Sequence, residues 1–281
     1  MPLIVELVHR SLYRYDHPVT LGPQSIRLRP TQAARTPVLR YALEIDPLPG
    51  SLHWQTDPYS NPLARMVLAG PTDHLDIRVT VVADLTPWSP FDFLLDAGAE
   101  TWPFAYEPDV AVDLAPFLQT GQPGPLLQEL HAASPASAPT VQLLLDLAAR
   151  VRDRVAYITR MEPGVWEPDR TLGEARGSCR DSAWLLIHLF RLHGIAARFV
   201  SGYLVQVFEN GAPDNAELHA WVDAYLPGAG WIGLDATSGL LAAEGHIPLA
   251  ASPLVIAAAP ISGTVEPSGT ALDTSMQVRR L

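Results

Sequence analysis

One residue in the 281 carries a thiol: Cys179, in the stretch RGSCRDSAWLLIHLFRLHGIAARFVSGY at 176–203. It stands where a glycine turn, Gly177 then Ser178, gives way to an apolar helix. The pattern predicts that helix over about residues 179–193, stopped by Gly194. The thiolate, not the thiol, is the nucleophile, and the unpaired N–H groups and dipole of a helix N-terminus favour negative charge. Gly177 lets the backbone come close to a substrate. A buried, inert thiol is the commoner fate of a lone intracellular cysteine. The polar, turn-like flanks in GSCRD favour chemistry instead.

A thiol nucleophile needs a base, and the chain has nine histidines. His188 and His193 lie about two and a half and four turns further along the same predicted helix, out of reach of the thiol. His9, His17, His53, His74 and His131 fall in the β-rich region or the connector, and His246 falls in the tail. His219 opens a predicted strand, HAWVDAY, and Asp235 closes the next one, GWIGLD. The short PGAG turn makes these strands neighbours, so a carboxylate at the end of one can hold an imidazole on the other in a single tautomer. Asp223 is the competing carboxylate. It sits four residues along its own strand from His219, roughly 13 Å at ~3.3 Å per residue.

The run GSCRDSAWLLIHLFRLHGIAARFVSGY followed by LHAWVDAYLPGAGWIGLDATSG closely resembles the core of the transglutaminase-like superfamily over about residues 140–240. The resemblance implies catalytic roles for Cys179, His219 and Asp235. It also implies an α+β fold with a papain-like catalytic core, the thiol on a helix and the other two residues on an antiparallel sheet. Where the family usually has Asp-Pro-Thr, this chain has Ala236, which predicts a looser turn after Asp235. Residues 3–85, with DPYSNP and HLDIRV, resemble the β-rich N-terminal region of many bacterial members. The tail GHIPLA…PISGTVEP looks like the variety in which this unit begins a longer chain, so a further C-terminal region is an expected partner. The function implied is a thiol enzyme acting on amide or peptide bonds through a thioester, by hydrolysis or by transamidation. The substrate would be a peptide or protein offering a Gln carboxamide or a peptide amide. The alternative is a non-catalytic binding or scaffold module of a larger protein.

The elements that must position these residues are legible as periodicities. LVHRSLYRY, QSIRLRP, VLRYALEI, LARMVLA and HLDIRVTVVADL alternate like strands, with Leu75, Ile77, Val79 and Val81 on one face. They predict one antiparallel sheet with one face covered. Residues 1–86 form the expected β-rich domain and 87–139 a Pro-rich connector with short helices, flexible at its end over 132–139. Residues 140–245 form the expected core and 246–281 a C-terminal extension. Thr140 is the expected cap of a helix carrying Leu143, Leu144, Leu147 and Val151 as a stripe. A hairpin with ENGAPDNAE, 209–217, at its tip should link the first two core strands, AARFVSGYLVQVF and LHAWVDAYLP.

Composition removes other functions. The net charge of −11 argues against a nucleic-acid binder, which needs a basic face. All nineteen basic residues are Arg. No apolar run approaches the ~20 residues of a membrane helix, and the N-terminus reads as a strand rather than a leader. A single cysteine precludes an intrachain disulfide and suits a reducing, cytoplasmic setting. Neither a HExxH pattern nor a set of thiolates is present, so no cofactor or metal is expected.

Overall fold

A computed structural model describes residues 2–208 and 212–281. Six strands open the chain: Ile4–Val19 (β1), Gln24–Ile26 (β2), Val38–Asp46 (β3), Ser51–Thr56 (β4), Pro62–Val67 (β5) and Thr72–Asp84 (β6). The predicted alternation holds in β6, where Leu75, Ile77, Val79 and Val81 are buried between more exposed neighbours. These strands form two sheets rather than the single one expected, and each is completed from the far end of the chain. Ile261–Ser262 pairs with β2, and Thr270–Arg280 pairs with β1 along most of its length. Residues 246–281 are therefore not a separate extension.

The connector is more ordered than its composition predicts. It carries Thr101–Trp102 (β7), Pro108–Leu118 (α1), Pro125–Ala132 (α2) and Ala138–Pro139 (β8), with β7 paired to β8. Pro at the first turn of α1 and α2 explains why Pro-rich sequence can still be helical: its missing N–H is one that a first turn leaves unpaired anyway. Thr140–Arg154 (α3) buries the expected stripe of Leu143, Leu144, Leu147 and Val151. Thr140 is not its cap. It is the first helical residue, and its hydroxyl donates to the Ala99 carbonyl 2.6 Å away.

Ala156–Tyr157 (β9), Pro168–Glu174 (α4) and Arg176–Gly177 (β10) lead into Cys179–Leu192 (α5). Gly194, with φ of +73°, ends the turn after α5 in a conformation that costs a residue with a Cβ. Four strands of the core follow: Ala197–Gln206 (β11), Asn215–Leu226 (β12), Gly230–Asp235 (β13) and Leu240–Leu241 (β14). His246–Ser252 (β15) adds to the free side of β11, giving the order β14-β13-β12-β11-β15. Ile261–Ser262 is β16 and Thr270–Arg280 is β17. Residues 209–211 of the β11–β12 hairpin tip lie outside the described residues. Among the described residues, no helix is long and apolar enough to cross a membrane.

Helix α5 is the spine of the core. Leu185, Leu186, Leu189 and Phe190 are fully buried in one cluster with the α3 stripe and with Val222, Ala224 and Leu234 of the sheet. Each such side chain contributes about 1.5–3 kcal/mol by burial, which makes α5 a rigid base for whatever its first residue does. A second cluster joins the N-terminal sheets to Tyr203 and Ile247 of the core sheet.

Arg191 anchors the other end of α5. Its guanidinium donates to the carbonyls of Ala197, Gln119 and Pro253, and burial pushes its pKa down to about 10. Arg191→Ala should destabilise the protein by about 2–4 kcal/mol, because buried carbonyls lose their donor. Urea unfolding would show this as a lower midpoint with an unchanged m-value.

Candidate active site

Cys179 is the first residue of α5, as the sequence predicts, but only 8% of it is exposed. The thiol sits at the edge of the main hydrophobic cluster rather than among solvated charges. What fixes the helix mouth is Asp181, a fully buried carboxylate. The Ser178 backbone N–H and hydroxyl donate to its Oδ2 at 2.9 and 2.7 Å. Arg160 donates from Nε to Oδ2 at 3.0 Å and from Nη2 to Oδ1 at 2.9 Å, and the Trp166 N–H donates to Oδ1 at 2.8 Å. Burial opposes ionisation of Asp181, yet these donors outweigh it and hold the carboxyl below the usual carboxylate range. Gly177 is needed for this approach, since a Cβ there would lie 2.9 Å from the Asp181 Cβ.

Strand β9 runs parallel to β10 with Tyr157 opposite Gly177. Tyr157 is thus brought to the helix mouth. Its phenol is pushed up to about 12 by partial burial and by the charges of Cys179, Glu217 and Asp235. It remains a protonated donor beside them. Trp166, the other aromatic of this segment, has the guanidinium groups of Arg160 and Arg170 over its ring, 5.0 and 4.3 Å from the centroid. It belongs to the Asp181 anchor.

The sheet brings His219 to Asp235. In the β12–β13 ladder Val222 faces Leu234 and Asp223 faces Gly233. One more antiparallel step sets Asp235 against Trp221, two residues from His219 and on its side of the strand. The His219 Nε2–H donates to Asp235 Oδ2 at 3.2 Å, and both side chains are almost fully buried. Asp223 instead pairs with Arg198 at 2.9 Å. Gly202, directly across from His219, makes room for the Trp221 indole, whose ring carbon would lie 2.3 Å from a Cβ at that position.

The turn after Asp235 is not loosened by Ala236. Thr237 donates to Asp235 Oδ1 from its N–H at 2.8 Å and from its hydroxyl at 2.7 Å, and the Gly239 N–H closes onto the Asp235 carbonyl at 2.8 Å. His246, at the start of β15, lies 3.5 Å from Asp235 Oδ2 through its own Nε2.

The electrostatics follow from these contacts. Burial by itself would lower the His219 pKa, but hydrogen bonding to Asp235, Cys179 and Glu217 overrides it and pushes the imidazole up to about 11. For Asp235, burial favours the neutral acid, while the bonds from His219, His246 and Thr237 prevail and hold it well below the carboxylate range. Nδ1 of His219 is buried without an aligned hydrogen-bond partner among the described residues. Glu217 Oε1 lies 3.1 Å away, off the bond axis. With Nε2 committed to Asp235, Nδ1 is the nitrogen left for the thiol.

The ligating atoms of His219, Asp235 and His246 lie within 4.8 Å of one another, close enough for a metal ion. Both Nε2 atoms are engaged as N–H donors to the carboxylate, whereas a metal needs bare lone pairs. The group reads as a proton-holding cluster.

Sequence reasoning missed Asp181, Arg160, Glu217 and His246. A capping signal, Ser178-x-x-Asp181, was present for the first. Nothing local marks Arg160 or His246, which reach the site only by tertiary folding.

Residues 129–236 match the transglutaminase-like superfamily and residues 5–84 match the bacterial transglutaminase-like N-terminal region. An uncharacterized protein of Mycobacterium tuberculosis is 28% identical over 86% of this chain and 81% of its own length. One from Mycobacterium leprae is 24% identical over 99% of both chains. The crystal structure of a candidate cysteine protease from Cytophaga hutchinsonii superposes with a TM-score of 0.73 at 19% identity, covering 100% of this chain and 91% of its own. The α+β fold and the two family matches converge: residues 129–236 form a transglutaminase-like core, preceded at 5–84 by a bacterial transglutaminase-like N-terminal region.

Proposed function

We propose that the chain is a thiol enzyme that cleaves amide or peptide bonds through a thioester on Cys179. His219 Nδ1 takes the thiol proton. The sulfur attacks the carbonyl carbon of a Gln carboxamide or peptide bond, and the tetrahedral intermediate collapses as Nδ1 returns the proton to the leaving nitrogen. The C–N bond breaks, ammonia or an amine departs, and the acyl group stays on sulfur. Water or a primary amine then attacks the thioester, gives its proton to Nδ1, and releases the thiol. Asp235 holds the imidazole with Nε2–H toward itself, which leaves Nδ1 available for the thiol. The Cys179 backbone N–H at the helix mouth and the protonated Tyr157 phenol are the donors offered to the oxyanion. The observation that carries this reading is the division of labour on His219: Nε2 is bound to a buried carboxylate, while Nδ1 is buried with no aligned hydrogen-bond partner among the described residues.

The test is product analysis by mass spectrometry, with a pool of Gln-containing peptides and a small primary amine. The wild type should yield a Cys179 acyl adduct and either the free acid or the amine-linked product. Cys179→Ala should yield none of these. No product from any peptide, and no adduct, would leave the binding module as the better reading.

Glu217 supplies a prediction about pH. The amide-cleaving step needs His219 protonated, so activity should fall as pH rises through the pKa of that residue. Glu217 helps to hold that pKa up. Glu217→Gln should therefore move the alkaline limb of kcat to lower pH, by less than about one unit because the carboxylate is half exposed. A pH–rate profile of the two proteins on one amide substrate decides it.

A further inference from the structure

His246 is the one titratable residue of this cluster that the proposed mechanism does not use. We infer that His246 is a positioning residue of the active site, a neutral imidazole that shares one oxygen of Asp235 with His219 and so limits how much of the carboxylate's charge His219 receives. The inference rests on the thiol-enzyme reading for its effect on rate, but its structural premise stands apart from it.

The protonation state follows from the hydrogen bonds. The Ala243 backbone N–H donates to His246 Nδ1 at 3.2 Å, so Nδ1 is a lone-pair acceptor. The ring proton is then on Nε2, which points at Asp235 Oδ2, 3.5 Å away. Asp235 thereby receives donors on both oxygens: Thr237 twice on Oδ1, His219 and His246 on Oδ2. Trp221 fixes the ring edge-on at 5.2 Å, and a turn bond from the His246 N–H to the Ala243 carbonyl at 2.9 Å fixes its backbone. The groups acting on His219 are Asp235, Cys179 and Glu217, with His246 reaching it through Asp235 and lying edge-on to its ring at 6.1 Å between centroids. A general acid works best with a pKa near the working pH, and His219 is held well above that. Each donor that takes charge from Asp235 Oδ2 brings His219 down toward the useful range.

The decisive variants are His246→Phe, which keeps a ring against Trp221 but has no donor, and His246→Gln, whose side-chain N–H₂ can replace Nε2–H. In His246→Phe the His219 pKa, followed by imidazole NMR, should rise. The alkaline limb of activity should move up with it, and kcat at neutral pH should fall about tenfold with KM within about twofold. His246→Gln should restore most of kcat and the wild-type His219 titration. In the wild type, two-bond ¹H–¹⁵N spectra should show His246 as the neutral Nε2–H tautomer at pH 7. A doubly protonated His246, or an unmoved or lowered His219 pKa in His246→Phe, overturns the inference. These NMR readouts hold even if the wild type proves to have no thiol-dependent turnover, which would count against the proposed function alone.

Discussion

Asp235→Asn is expected to lower kcat by about 10³–10⁴-fold, while Asp223→Asn lowers it by less than about tenfold. The matching carboxylate-to-amide change in a serine-protease triad costs about 10⁴-fold, through the wrong imidazole tautomer. The same reasoning applies atom by atom. Asp235 Oδ1 takes two donors from Thr237, and Oδ2 takes the His219 and His246 N–H groups. An amide in that place has one acceptor and one donor. With its oxygen toward Thr237, its N–H₂ meets His219 Nε2 and favours the tautomer with the proton on Nδ1. That imidazole can no longer take a proton from Cys179. With the amide turned round, N–H₂ faces the two Thr237 donors instead, and the turn that carries the residue is destabilised. Asp223 meets none of these groups, and its pairing with Arg198 is a structural contact on the same sheet. Steady-state kinetics on a single amide substrate, with circular dichroism to confirm folding, makes the comparison. Similar losses in the two variants would mean that the orienting carboxylate has been misassigned.

Asp181→Ala should bring the largest loss of stability, about 3–5 kcal/mol. That is the usual range for removing one partner of a buried ion pair. The substitution removes the buried carboxylate from the Arg160 guanidinium, only 6% exposed at its side chain, leaving it the Glu162 and Gly164 carbonyls and the exposed Glu162 carboxylate, and orphans the Ser178 and Trp166 donors. At about 2–4 °C per kcal/mol for a chain of this size, the thermal midpoint should fall by on the order of 10 °C. Because Ser178 caps the helix that begins at Cys179, loosening is expected to start at the thiol. Alkylation of Cys179 should therefore become less sensitive to replacement of His219 in this background than in the wild type. Asp181→Asn keeps most of the volume and some of the acceptors and should recover part of the stability. Differential scanning calorimetry of both variants checks the size, and a midpoint within 2–3 °C of wild type would remove Asp181 from its anchoring role.

The sequence by itself determined the elements and the order of the chemistry. Alternation at Leu75, Ile77, Val79 and Val81 and the stripe at Leu143, Leu144, Leu147 and Val151 are local patterns. Burial follows their period directly, so strand and helix were legible. The start of α5 at Cys179 was legible because glycine and a polar capping residue before an apolar run are chain-local signals. The short turn between β12 and β13 likewise limited which carboxylate could meet His219, since a tight hairpin fixes register. Only the tertiary structure decided the rest. Strands β16 and β17 close the N-terminal sheets from more than two hundred residues away, and no local pattern encodes such a partner. The burial of Cys179 depends on the cluster that packs around α5. Asp181 looked like one more polar residue at a helix start, and its ionised, buried state exists because Arg160 folds onto it across a long loop. His246 looked like part of a tail. It enters the site because β15 joins the sheet beside β11, which sets its imidazole against the carboxylate that His219 already holds. Charges that shift one another's pKa must lie within a few ångströms, and that proximity is made by folding rather than by spacing along the chain.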